Sequence, residues 1–134
     1  EQMLDVMTAH LSRMQPADLS GTLHALALLQ HQPSGRWMSR FLHTSRLRLR
    51  RFRAQHLAST LWSLAKLNVR HDRRWMEWAL AECTHKLGGF GAQELANTAW
   101  AMARLGYRPP PPWQRAFLQR VQEVMHELRE EDWP

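Results

Sequence analysis

A single cysteine, Cys83, stands in the 134 residues, so the chain can form no internal disulfide and no Cys-rich zinc site. No apolar run approaches the ~18 residues that a membrane span needs. No charged-then-apolar signal peptide opens the chain. No HExxH or similar metal-binding pair occurs, and the eight histidines are scattered. Cys83 and His85 are two apart, on different faces of a helix, with no further ligand at sensible spacing. Gly88-Gly89-Phe90-Gly91 lacks the Lys-Ser/Thr and the preceding strand of a phosphate loop. The expectation is a chain that is no enzyme, holds no metal or cofactor, and takes neither a membrane nor a small-molecule substrate as partner.

Acidic residues are scarce where basic ones crowd. The whole chain carries 18 Lys plus Arg against 12 Asp plus Glu, a net of +6. Residues 36–74 hold eleven of the bases against one acid, Asp72, a net of +10. The last twelve residues set Glu123, Glu127, Glu130, Glu131 and Asp132 against Arg129, a net of −4. The molecule therefore has a basic centre and an acidic tail, and the centre favours a polyanionic partner. A hydrophobic fraction of 44% is enough to bury a core.

Seven tryptophans are many for this length, and their spacing reveals the organisation. Trp37, Trp75 and Trp113 lie 38 apart, and so do Trp62 and Trp100. A fixed period of 20–50 residues marks a repeat architecture. Gln55 to Arg70 aligns with Gln93 to Arg108 at eight identical positions of sixteen. A weaker copy from Ala17 keeps Leu19, Thr22, Leu23, Leu26, Ala27, Leu29, Arg36, Trp37, Met38 and Leu42. One further step back sets Met3-Leu4 under Phe41-Leu42, and Met14 under Phe52 and Phe90. The organisation expected is one helical-repeat domain over 1–134. Residues 1–16 form the second helix of a truncated repeat, followed by repeats at 17–54, 55–92 and 93–134. A chain that opens mid-repeat is expected to be an excerpt of something longer.

Each repeat reads as two helices. Leu57, Ala58, Leu61, Leu64 and Ala65 place one apolar face on the first. Asn68 and Gly106 sit where a helix would end in a left-handed residue. The second helix starts near Trp75 and keeps Met76, Ala79, Leu80, Cys83 and Leu87 on one face, so Cys83 is expected to be a buried thiol. Gly88-Gly89 ends it. Ser34 and Asp72 are the expected N-caps of second helices, and Pro109 to Pro112 are expected to connect rather than to join a helix. The acidic last helix is expected over roughly 113–131. The fold class expected is all-α: a right-handed α-solenoid of stacked helix-turn-helix repeats, three of 38 residues plus a preceding half repeat.

The run Ala92-Gln93-Glu94-Leu95-Ala96-Asn97-Thr98-Ala99-Trp100-Ala101-Met102-Ala103-Arg104-Leu105-Gly106, then prolines and Trp113, resembles the octotricopeptide repeat. That is a 38-residue helical-repeat family of organellar RNA-binding proteins. The second copy departs at Ser59 and Asn68 and lacks the prolines; the first departs at Gly21, His24 and Gln30. The resemblance implies an organellar protein of the mitochondrion, with the chloroplast as alternative. It implies RNA as partner, with rRNA favoured and mRNA possible, inside a ribonucleoprotein with neighbouring proteins. The function expected is a structural component that holds rRNA in a mitochondrial ribosome. The alternatives are a transcript stability or translation factor and a protein–protein scaffold.

On a helical wheel the face opposite the apolar one carries Gln55, His56, Ser59, Ser63 and Lys66, then Gln93, Glu94, Asn97, Ala101 and Arg104. Gln55, His56, Ser59, Ser63, Gln93 and Asn97 can hydrogen-bond base edges, while Lys66 and Arg104 reach phosphates. An ordinary solvated helix face is the alternative. Arg46, Arg48, Arg50, Arg51 and Arg53 crowd five guanidinium groups into eight residues, a density that phosphates neutralise well. Arg70, Arg73, Arg74 and Arg108 form a looser set near the inter-helix turns. Trp62, Trp100 and the lattice tryptophans are read as packing groups, whereas Trp78 and Trp133 lie off the lattice and either can be exposed.

Overall fold

The computed structural model describes residues 10–70 and 73–132, the side chains as far as 128. Met3-Leu4, the Asp72 cap, Trp133 and the acidic side chains of Glu130, Glu131 and Asp132 lie outside the described residues. Among the described residues six α-helices follow one another: α1 (Pro16–Leu28), α2 (Gly35–Arg48), α3 (Ala54–Lys66), α4 (Arg73–His85), α5 (Ala92–Leu105) and α6 (Pro111–Asp132). Among the described residues there is no strand, and no helix is long and apolar enough to cross a membrane.

The 38-residue period is written into the backbone. Short 3₁₀ turns at Leu11–Arg13, Leu49–Arg51 and Leu87–Gly89 precede each first helix. At each turn's end Met14, Phe52 or Phe90 donates its N–H back to Leu11, Leu49 or Leu87. The first helices then open in one way. Asp18, His56 and Glu94, three residues into the helix region, accept the N–H of Gln15, Arg53 and Gly91. They close in one way too. Gln30, Asn68 and Gly106 adopt left-handed φ of 55°, 56° and 68°. In each, the following residue's N–H reaches back five positions, as His31 to Leu26, Val69 to Leu64 and Tyr107 to Met102. The second helices vary more. Ser34 caps α2 by accepting from Trp37 N–H.

The expected role of the prolines needs correcting. Pro111 and Pro112 are the first two residues of α6, not part of the connection. The first turn of a helix has no use for those N–H groups, and the fixed φ of proline suits it.

Helices α1, α3 and α5 pack in one row and α2, α4 and α6 in another. The first row meets through small buried residues: Ser20, Ala27, Ala58, Thr60, Ser63, Ala65, Thr98 and Ala101. The second row is spaced by large ones, including Trp37, Phe41, Trp75, Met76 and Leu80. Close approach in the first row follows from those side-chain sizes. Trp75 Nε1 donates to Ser45 Oγ at 3.1 Å, and Trp113 Nε1 to the Leu80 carbonyl at 2.9 Å. These lattice tryptophans are packing groups, as their recurrence suggests. Cys83 is fully buried, as its place on the apolar stripe requires.

Candidate nucleic-acid interface

The basic run does not form one face. Helix α2 ends at Arg48, and the 3₁₀ turn that follows re-aims the remaining side chains. Arg46 stays on the helix and lays its guanidinium over the Trp78 ring of α4, 4.0 Å from the centroid. Arg48 turns back to donate to the Ser12 carbonyl. Arg50, Arg51 and Arg53 instead wall a pocket of about 560 Å³ over Phe52, together with Gln55, Lys86 and Gly89. Arg46 and Arg48 thus hold intramolecular partners, while Arg50, Arg51 and Arg53 share the pocket.

Lys86 also lines this pocket, with its ammonium held by protein groups. Its Nζ donates to the carbonyls of Leu49 (3.1 Å) and Arg50 (2.8 Å) and pairs with Glu82 at 3.2 Å. Arg48 stands 38 residues before Lys86 and makes the equivalent bond one repeat earlier. Sequence reasoning passed over Lys86 because it is isolated in sequence. Its register with Arg48 was the signal that would have found it.

His56 sits beside this pocket, edge-on to Phe52 at 6.0 Å. Its Nδ1 accepts from Arg53 N–H, which leaves only Nε2 for a ligand. Burial, with the nearby charges of Arg53 and Lys86, holds its pKa below the ordinary histidine value, so the ring is neutral at pH 7.

A second cleft, of about 440 Å³, runs between the first helices. Gln55, Ser59, Gln93 and Asn97 line it together, from two successive repeats. His24, Leu28, Ala58, Trp62 and Glu94 complete the walls. Four of the six expected base-contact residues thus share one cavity. Ser63 does not join them: it is fully buried and donates to the Ser59 carbonyl at 2.8 Å, so it offers nothing to a base. Helices α1 and α5 pack on either side of α3, and position 63 is covered by protein.

One wall of that cleft belongs to a ladder of rings. His24 and Trp62 lie 5.4 Å apart, and Trp62 and Trp100 5.9 Å apart. All three occupy one position of the period. Trp62 packs as expected, but Trp100 keeps 39% of its surface exposed. Arg104 reaches back from α5 to the Ala65 carbonyl at 3.1 Å, with its guanidinium 5.5 Å from the Trp100 ring centre. Lys66 is exposed at the end of α3.

The looser basic set lies at the far end of the first helices. Arg73 and Arg108 line a cleft of about 490 Å³ with Glu77, Tyr107 and Trp113. Arg73 Nε stands 3.9 Å from Glu77, both side chains being well exposed. Arg70 and Arg74 are exposed nearby in sequence. The 13 residues of α3 separate the two ends by about 20 Å.

The family model of the Tbc2 translation factor N-terminal domain matches residues 1–130. The chain belongs to that family. The match supports the coarser part of the sequence reading, a helical translation-related domain, and does not by itself show an octotricopeptide repeat. No curated protein matches the chain at a significant level. In this Tbc2-type domain the described residues bring no three His, Cys, Asp or Glu side chains together as a metal site. Burial, with Glu82 adding to it against the opposing Lys86, pushes the Cys83 thiol up to about 12. A thiol so placed stays protonated and is no nucleophile at neutral pH.

Proposed function

We propose that this Tbc2-type domain is an RNA-binding module of organellar translation, built as a right-handed α-solenoid and acting by binding rather than by catalysis. The observation that carries the reading is the pocket of Arg50, Arg51, Arg53 and Lys86 set beside a polar cleft, within a segment of net charge +10. Lys86 is paired with Glu82, so Arg50, Arg51 and Arg53 are the cations that favour phosphate as the counter-charge. The narrow row of first helices beside the wide row of second helices supports a curved stack with α1, α3 and α5 on its inner side. An RNA backbone would enter at Arg50, Arg51 and Arg53 and follow α3 toward Lys66, Arg70, Arg73 and Arg108.

Family membership favours a role in translation, and the motif favours an organelle, the mitochondrion ahead of the chloroplast. Repeat readers take about one base per repeat, so three repeats cannot select one transcript, and phosphate and shape contacts dominate. Helix α6 exposes Leu118, Met125 and Leu128, which suits either a neighbouring protein of the assembly or a further repeat of a longer chain. Leu118 is 58% exposed, whereas Leu80, one period earlier, is 3% exposed beneath the next helix pair. Crosslinking in the organelle followed by RNA sequencing tests the reading. Recovery of rRNA assigns a ribosomal role and recovery of mRNA a transcript-level one. Recovery of no RNA overturns the proposal in favour of a protein scaffold.

A further inference from the structure

We infer that Lys86 is the positioning residue of the arginine pocket: it fixes the turn that carries Arg50 and Arg51 and makes no phosphate contact itself. The inference rests on the RNA-binding reading and adds to it what holds the site in shape. Three observations carry it.

The first is the saturation of the ammonium. A lysine has three N–H donors. Lys86 Nζ gives one to the Leu49 carbonyl at 3.1 Å and one to the Arg50 carbonyl at 2.8 Å, and the third meets Glu82 at 3.2 Å. No donor is left for a phosphate, and the carboxylate offsets the charge at close range. The guanidinium groups of Arg50 and Arg51, by contrast, hold no hydrogen bond or ion pair among the described residues.

The second is where those bonds land. Helix α2 ends at Arg48, and Leu49–Arg51 forms a 3₁₀ turn. Carbonyls at such an end have no partner further along their own helix. Phe52 N–H closes the turn onto the Leu49 carbonyl at 3.0 Å. A 3₁₀ turn has poor hydrogen-bond geometry of its own, so bonds from outside decide whether it holds. Lys86 supplies them from the residue after α4, across a repeat boundary. While the turn holds, Arg50 and Arg51 meet Arg53 over Phe52. Were it to continue α2 instead, each successive side chain would be re-aimed and the three would part.

The third is recurrence. Each 3₁₀ turn is held by a cation from the second helix of the repeat that follows. Arg48 donates to the Ser12 carbonyl in the first turn. Arg120 donates to the Gly88 and Phe90 carbonyls at the last, both at 3.1 Å. The register position on α6 is the buried Val124, and Arg120, one helical turn before it, serves in its place. Arginine therefore fits the slot that Lys86 fills, and a fixed scaffold of this kind raises affinity by arranging the binding groups in advance.

The test follows binding of a labelled uracil octamer by fluorescence anisotropy across a range of salt, on the intact chain. Lys86→Met is expected to weaken binding about fivefold or more at every salt concentration. The slope against salt is expected to stay unchanged, because the arginines that neutralise phosphate remain. Lys86→Arg is expected to restore the parent affinity. Arg48→Ala removes the corresponding bond at the first turn and is expected to keep it. Melting temperature checks that each variant folds. Should Lys86→Met not fold, hydrogen exchange on the parent chain decides: the octamer is expected to slow exchange of Phe52 N–H, and unchanged exchange overturns the inference. Parent-like binding by Lys86→Met overturns the positioning role alone. A slope shallower by about 0.7 in that variant makes Lys86 a phosphate contact and overturns it too. So does a folded Lys86→Arg that stays weak, or an equal loss in Arg48→Ala, which would make the effect one of general stability. No binding by the parent at low salt overturns the RNA reading together with the positioning role.

Discussion

Replacing Gln30 with glycine should stabilise the fold. Gln30 holds a φ of 55° at the end of α1, and its side chain is exposed, so the change removes no buried contact. A left-handed backbone costs a residue with a Cβ about 1–2 kcal/mol. Glycine returns ~0.5–1 kcal/mol of that through the freedom it adds to the unfolded chain. The net gain is about 0.5–1 kcal/mol. With a urea dependence of about 1–3 kcal/mol per molar, the unfolding midpoint should rise by about 0.2–1 M at unchanged slope. The other repeats serve as controls in the same backbone slot. Asn68 has a φ of 56° but tolerates it, so Asn68→Gly should gain clearly less. Gly106 has a φ of 68° and no atom within 4 Å of an added Cβ, so Gly106→Ala should cost about 1 kcal/mol from the backbone alone. An Asn68→Gly gain equal to that of Gln30→Gly, or a lower midpoint for Gln30→Gly, would refute the reasoning.

Three further predictions concern side chains around the interface. Arg48→Ala should lower stability by about 1 kcal/mol through loss of the bond to the Ser12 carbonyl, yet leave RNA affinity within twofold, as should Arg46→Ala; a tenfold loss of affinity in either would return them to the interface. His56 is held below its ordinary value of 6.5, so the unfolded chain takes the proton first. Stability from this residue is complete above pH 6.5 and is lost as pH falls through the folded-state value. His56→Gln keeps an acceptor for Arg53 N–H but cannot titrate, so its stability should fall less between pH 7 and pH 5, and equal losses would contradict this. The Cys83 thiol, buried and pushed up to about 12, should resist alkylation at pH 8 until the chain unfolds, and rapid native-state labelling would contradict its placement.

The repeat was legible because packing enforces it: the period that spaces Trp37, Trp75 and Trp113 also spaces the 3₁₀ turns and the left-handed residues. Gln30 shows why a consensus residue is not required there, since the backbone bonds from His31 and Gln30 hold the bend against the cost. The polar cleft was legible in part because a helical wheel places Gln55, Ser59, Gln93 and Asn97 on one side. Ser63 falls on the same side of that wheel but is buried, because neighbouring helices cover more of α3 than an isolated wheel suggests. The arginine run divides for a different reason. A helix carried through residue 53 would have fanned all five side chains together, but the 3₁₀ turn at Leu49–Arg51 breaks it. Lys86 and the exposed Trp100 depend on contacts between repeats, which no single repeat's sequence contains.

Salt dependence of RNA binding tests the central claim most directly. Single-stranded RNA releases counterions with a slope of about −0.7 per phosphate neutralised, so Arg50, Arg51 and Arg53 together should contribute about −2 to the slope of log affinity against log salt. Replacing Arg50, Arg51 and Arg53 with glutamine should make the slope shallower by about 2 without shifting the unfolding midpoint. A flat dependence in the parent chain, or an unchanged slope in the triple variant, would contradict an RNA backbone at this turn.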